Sequence, residues 1–277
     1  MSDDPLKRGT PPGSLRQFAV TYAPPHARPL LEALYAYEAE IADTTRASSH
    51  EVAHTRLAWW RDEADRLLRG QPRHPVARAL LPLRDRAGDD LALLHEPLVA
   101  AEIDLARLTL DDASEVERYC FRAAGSVQTL AAIASRDSGP LSDAERTFAR
   151  RLGVALRRTE HLRDLRADLA AGRLRLPLDA LTAIRVDPQQ LRPDAVPPAF
   201  VELLHATRDE LQKELAAVGT LLDPTARTRQ RQGLVLAALH RKLLAQIHHG
   251  LSLESSRAEV PPWTRLWTAW RTALRAA

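Results

Sequence analysis

The chain reads as an all-α protein folded as a single domain, and three features of its sequence carry that reading. Apolar residues recur at three- and four-residue spacing over long stretches, the period of one helix face. Valine and isoleucine nowhere alternate with polar residues over a run long enough for a strand. Prolines and capping residues fall between the long periodic stretches, where helices end.

Taken in order, residues 1–13 mix acids, bases and prolines and predict a flexible N-terminal segment ahead of a helical domain over 14–277. Pro24-Pro25 precedes the first long helix, Leu30–Ile41. A second, Val52–Leu68, is cut off by Gln71-Pro72 and His74-Pro75. Asp111 and Asp112 can cap a helix over Val116–Ile133. Ser142 followed three residues later by Glu145 is a capping box heading the helix that contains Phe148–Leu169, and Gly172 closes it. Arg185–Pro198 holds four prolines and predicts a connecting loop within the same domain, with Phe200–Leu222 and Leu234–Ile247 beyond it. Pro261-Pro262 then opens a C-terminal helix with Trp263, Leu266, Trp267, Trp270 and Leu274 on one face and Arg265, Arg271 and Arg275 beside them. Such a stripe suits either an interfacial helix, with its indoles at headgroup level, or a helix packed on the domain.

Composition narrows the function classes. The 277 residues are 45% hydrophobic and 27% charged, ordinary for a globular chain long enough to bury a core. A single cysteine, Cys120, excludes an intrachain disulfide and predicts a reducing compartment. No run of ~18 apolar residues predicts a spanning helix, and the first residues lack the apolar stretch of a secretory signal. The expectation is a cytoplasmic protein, peripheral at the inner membrane if its last helix is of the interfacial kind. Of 39 basic residues only Lys7, Lys213 and Lys242 are lysines, a bias that reads as genomic composition. The 36 acids are interleaved with the bases and the net charge is +3, so no nucleic-acid partner is expected.

The residues that can carry chemistry cluster before Gly172. Glu160, Asp164 and Asp168 stand at i, i+4 and i+8, stacking three carboxylates along one helix face. Like charges at that spacing repel, and a divalent cation relieves the repulsion. Mg²⁺ in particular takes one or two carboxylates together with phosphate oxygens. The alternative is a solvated face neutralised by Arg157, Arg163 and Arg166.

The surrounding text resembles the second aspartate-rich region of squalene and phytoene synthases, whose pattern runs LG-x-A-x-Q-x-T-N-I-L-R-D-V-x-E-D, then G-R-x-Y-L-P. Here it is carried by Leu152-Gly153, Thr159, Leu162-Arg163-Asp164, Asp168, Gly172-Arg173 and Leu176-Pro177. Tyr35-Ala36-Tyr37 resembles the family's Y-A-F, and the run from Tyr119 to Val127 resembles Y-C-Y-x-V-A-G-x-V. Leu239-His240-Arg241 with Leu244 and Ile247 resembles the late L-Y-R-x-I-L-x-x-I. The resemblance implies an isoprenoid-synthase helical bundle around a central apolar cavity, with Mg²⁺-diphosphate bound at its mouth. It makes Asp164 and Asp168 candidate Mg²⁺ ligands, and Tyr119, Arg163 and Arg173, with Arg46, candidate contacts to a prenyl diphosphate or related lipid.

Departures from the pattern fall on the chemistry. The register set by Tyr35-Ala36-Tyr37 places Ala42 and Arg46 where the family's first DxxxD carries its aspartates, leaving Asp43 between them and Glu40 a turn earlier. An arginine binds phosphate bidentately but holds no metal. Arg157 replaces a glutamine, Glu160 an asparagine, Arg175 a tyrosine, and Gln128 a glycine that leaves room for a substrate chain. Arg56–Glu63, with its W-W-R-D string, and His74-Pro75-Val76-Ala77 also resemble a branch of the family that includes mitochondrial complex I assembly factors. Three readings stay open: a Mg²⁺-dependent head-to-head prenyltransferase, a synthase-like accessory protein binding a lipid or protein partner, and a structural helical partner protein. His50/His54 and Cys120 read as a surface pair and a buried thiol, and His248/His249 as a helix end that favours positive charge.

Overall fold

A computed structural model describes residues 4–47, 49–192, 196–250 and 257–276, the side chains of 248–250 excepted. The helices run α1 (Leu15–Thr21), α2 (Arg28–Thr44), α3 (His50–Leu68), α4 (Pro75–Ala79), α5 (Leu81–Ala87), α6 (Glu96–Ala106) and α7 (Ala113–Cys120). After these come α8 (Ser126–Ala134), α9 (Asp143–Ala170), α10 (Leu178–Ala183), α11 (Pro198–Ala217), α12 (Pro224–Arg229), α13 (Arg231–Gly250) and α14 (Pro262–Arg275). Short 3₁₀ turns connect several of them, and no strand element occurs among the described residues. His248 and His249 fall where side chains are not described.

The 28-residue α9 is the axis of the bundle, packed by α8, α11 and α13. Both of its ends follow from sequence. Ser142 Oγ accepts from the Glu145 N–H at 3.2 Å, and the Glu145 carboxylate accepts from the Ser142 N–H at 3.1 Å. Glu145 is fully buried, so it needs more partners, and Arg136, Arg229 and Gln230 supply them. At the other end Gly172 takes φ +66° and the Arg173 N–H returns to the Asp168 carbonyl at 2.8 Å.

The predicted helix over Val116–Ile133 is one rod with a fault in it: Phe121–Gly125 is a π turn joining α7 to α8. There the rod meets α9 backbone to backbone. A Cβ on Gly153 would lie 2.5 Å from the Gly125 Cα, closer than any side chain allows. Residues 4–13, expected as a flexible segment, lie against α2: Lys7 pairs with Glu32, Arg8 with Glu40, and Gly9 rests on the Tyr35 backbone.

Between α2, α8 and α13, Tyr35 Oη donates to Gln232 at 3.0 Å and accepts from Gln128 at 3.3 Å. Gln128, standing in place of a space-giving glycine, is thus a buried member of a polar cluster. Trp60 is core, edge-on to Tyr37 at 5.5 Å, while Trp59 is exposed. Helix α14 docks on α13 and α1 through Ala269, Ala273 and Ala276, leaving its tryptophan stripe in solvent, with Trp263 82% exposed.

Candidate functional site

A polar cleft of about 160 Å³ opens between the C-terminal end of α2, α6, α9 and the loop after α9. Each helix brings charge to it because its polar stripe faces the gap while its apolar stripe is spent on the core. Toward α1, Arg16 bonds Glu38 at 2.6 Å, and Arg157 bonds Glu160 at 3.2 Å one helix away. On the α6 side Asp104 accepts from Tyr119 Oη at 2.9 Å and from Arg175 at 2.8 Å. Arg175 also reaches Asp168 at 2.6 Å, and Arg173 holds the other Asp168 oxygen at 3.1 Å. Asp164 lies between Arg163 at 2.6 Å and Arg257 at 2.6 Å.

These pairs set the protonation states. Burial pushes the Glu160 carboxyl up, but Arg16, Arg157 and Arg163 outweigh it and hold it down at about 2. Burial wins at Glu38, which is raised despite Arg16, and at Tyr119. Asp164 is lowered, burial being outweighed by hydrogen bonds from Arg163 and Arg257. Five carboxylates therefore meet six paired arginines. Arg46, exposed on the cleft wall, adds a seventh guanidinium with no ion-pair partner among the described residues. The mouth thus carries more guanidinium than carboxylate charge, which favours a polyanionic ligand.

The donor set also tests the metal expectation. Among the described residues no group of three or more His, Cys, Asp or Glu side chains is arranged to hold a metal ion. Asp164 and Asp168 share the cleft, and a pair of carboxylates suits one Mg²⁺ that arrives with its own phosphate oxygens. The facing α2 brings Ala42, with Arg46 just beyond its end, and its one cleft carboxylate, Glu38, is bonded to Arg16 at 2.6 Å.

Arg46, Arg173, Asp164 and Asp168 line the cleft. Tyr119 and Arg163 do not: Tyr119 supports Asp104, and Arg163 grips Asp164 from its own helix. Glu38, Asp104, Arg16 and Arg257 were not foreseen, and a lone acid or base on a separate segment gives no sequence signal. His161 is a different case, because it stands where the resembling pattern has isoleucine. Away from the cleft, Cys120 is buried with its thiol pushed by burial up to about 12, an inert group, and His50 and His54 are an exposed stacked pair.

An all-helical bundle that opens an acid- and arginine-lined mouth between its second helix and its longest one has the isoprenoid-synthase architecture. The squalene/phytoene synthase family model matches residues 14–264, and the chain belongs to that family. It is 28% identical over 253 residues to a phytoene synthase of Arthrospira platensis, covering 86% of this chain and 80% of that protein. A phytoene synthase of Thermus thermophilus is 31% identical over 215 residues, with 75% and 70% covered. Among solved structures, a dehydrosqualene synthase in complex with ligand superposes with a TM-score of 0.76 at 18% identity, covering 94% of this chain and 90% of that one. Squalene synthase HpnC from Alicyclobacillus acidocaldarius gives 0.71 at 21%, covering 85% and 88%. These two likenesses speak to the fold. The likeness to the assembly-factor branch gains no support from the comparisons.

Proposed function

We propose that the protein binds a prenyl diphosphate, as its Mg²⁺ complex, in the cleft between α2 and α9, without appreciable head-to-head condensation. The excess of guanidinium charge around Asp164 and Asp168 carries this reading. An entering diphosphate meets Arg46, which has no carboxylate among the described residues to give up, and competes for Arg173, whose turn to phosphate frees Asp168 oxygen for the accompanying ion. Mg²⁺ would be held by Asp164 and Asp168 and would neutralise the diphosphate charge. Ionising an allylic diphosphate calls for Lewis-acid support from both sides, and Ala42 with Arg46 lacks the carboxylates for it. An accessory role fits that loss. Peripheral contact with a membrane through α14 belongs to the same reading, since a prenyl ligand partitions into lipid.

The test is farnesyl diphosphate binding with and without Mg²⁺, with product analysis on the same samples. Saturable binding is expected, with a Mg²⁺-dependent increment of at least ~10-fold that the Asp164→Asn/Asp168→Asn double variant loses while keeping its helical content. Equal increments in parent and variant would remove the metal assignment. Condensation by the parent at a rate of ~1 s⁻¹, ordinary for an enzyme, would overturn the accessory reading.

A further inference from the structure

A second cavity, of about 810 Å³, lies between α7, α9, α10 and α11. It faces the α9 stripe that includes Thr147, Val154, Arg158 and Leu165, whereas Phe148 and Leu152 of the same helix meet Gly233 of α13. Its size is that of a ligand pocket. Val116, Val154, Leu162, Leu165 and Leu176 give it an apolar wall. Three of its arginines are paired: Arg158 bonds Glu210 at 2.8 Å, Arg151 pairs with Glu214 at 3.7 Å and Arg146 bonds Asp90 at 2.8 Å, while exposed Arg150 stacks over Phe121.

His161 stands in the partition between this cavity and the polar cleft, and with Asp168 and Arg175 it lines both. It is only 8% exposed, its ring 5.6 Å from that of Tyr119, and neither ring nitrogen has a hydrogen-bond partner among the described residues. Buried polar groups are almost always paired, so an imidazole with both nitrogens free beside a ligand-sized cavity is unusual. Burial, reinforced by Arg157, Arg175, Arg158 and Arg163, holds it far below the ordinary histidine range, so it is neutral, with one donor and one acceptor.

We propose that this cavity is a binding site, separate from the diphosphate cleft, for an uncharged single-chain lipid alcohol whose hydroxyl pairs with His161. The apolar wall takes the chain. A hydroxyl both donates and accepts, as a neutral imidazole does, whereas a carboxylate or phosphate at this end of the cavity would meet an uncharged ring, the Asp168 carboxylate and an Arg175 already bonded to two carboxylates. Prenyl and alkyl alcohols share this chemistry. The site does not depend on diphosphate binding in the cleft.

The experiment uses the full chain and a farnesol carrying a diazirine at its hydrocarbon end, with the crosslinks mapped by mass spectrometry. Labels are expected on the segments 143–165 and 203–214, displaced by farnesol if the site prefers prenyl chains and by hexadecanol if it accepts alkyl ones, and not by pyrophosphate. His161→Phe should weaken farnesol binding at least ~10-fold, about 1.4 kcal/mol, and leave the melting temperature unchanged or higher. Leu203→Trp, filling the cavity from a half-buried position, should reduce labelling even if the histidine variant fails to fold. Labels on α2, α8 or α13, displacement by pyrophosphate, or undiminished farnesol binding by His161→Phe would each overturn the proposal.

Discussion

Arg175 ties the mouth together. One guanidinium bonds Asp104 from α6, Asp168 from α9 and the hydroxyl of Tyr119, and its side chain is only 14% exposed. Replacing it by an apolar residue of similar length takes the main cationic partner from two largely buried carboxylates, leaving Asp104 with Tyr119 and Asp168 with Arg173. Arg175→Met is therefore expected to lose about 3 kcal/mol in urea denaturation, the cost of breaking a buried pair from one side. A loss below ~1 kcal/mol, the level of an exposed ion pair, would mean that water already screens this network. At this scale the sequence was informative where residues share a helix: the i, i+4 spacing of Asp164 and Asp168 put both on one cleft wall. Asp104 was invisible because its charged partner, Arg175, is 71 residues away and its other partner, Tyr119, lies on a different helix.

Among the elements, α14 carries the clearest expectation. It has no acidic residue, its three arginines flank an apolar stripe, and Trp263, Trp267, Trp270, Leu266 and Leu274 are all exposed. Alanines do the docking, so the tryptophans are free to meet another surface. Replacing Trp263, Trp267 and Trp270 together by serine should leave the helical content and melting cooperativity unchanged and lower partitioning onto anionic vesicles about 10-fold or more. Equal partitioning by parent and triple variant would sink the membrane reading. The π turn at Phe121–Gly125 makes the opposite point about legibility. Its apolar period is that of an ordinary helix, and only the close approach of Gly125 to Gly153 distinguishes it.

For the molecule as a whole, the buried histidines make stability depend on pH. Burial lowers His240 from 6.5 to about 4, Glu160 only partly opposing it, and burial with the nearby arginines lowers His161 as well. A group whose folded value is depressed adds stability above its unfolded value and loses it as the pH falls. The contribution of His240 should therefore be complete above pH 6.5 and disappear as the pH drops to about 4, a change of about 3 kcal/mol. Glu160, lowered from 4.5 to about 2, adds a second loss below that window. Urea titrations across this range should show the decline, and His240→Leu should flatten it between pH 6.5 and 4. Identical slopes in both proteins would show that His240 binds its proton as readily in the folded chain as in the unfolded one.

By itself the sequence determined the helical class, the ends of α9 and the family, because caps, periodicity and motif order act within short stretches of chain. It also showed that Ala42 and Arg46 stand at positions where metal-binding aspartates are expected. Only the tertiary structure decided what replaced them. Arginines from α1, α9, the loop after α9 and the segment before α14 converge on carboxylates from α2, α6 and α9. That convergence depends on the distances between segments remote in the chain, and so does the isolation of His161 between two cavities. Charge and burial in a fold are properties of what surrounds a residue, and the surroundings come from elsewhere in the sequence.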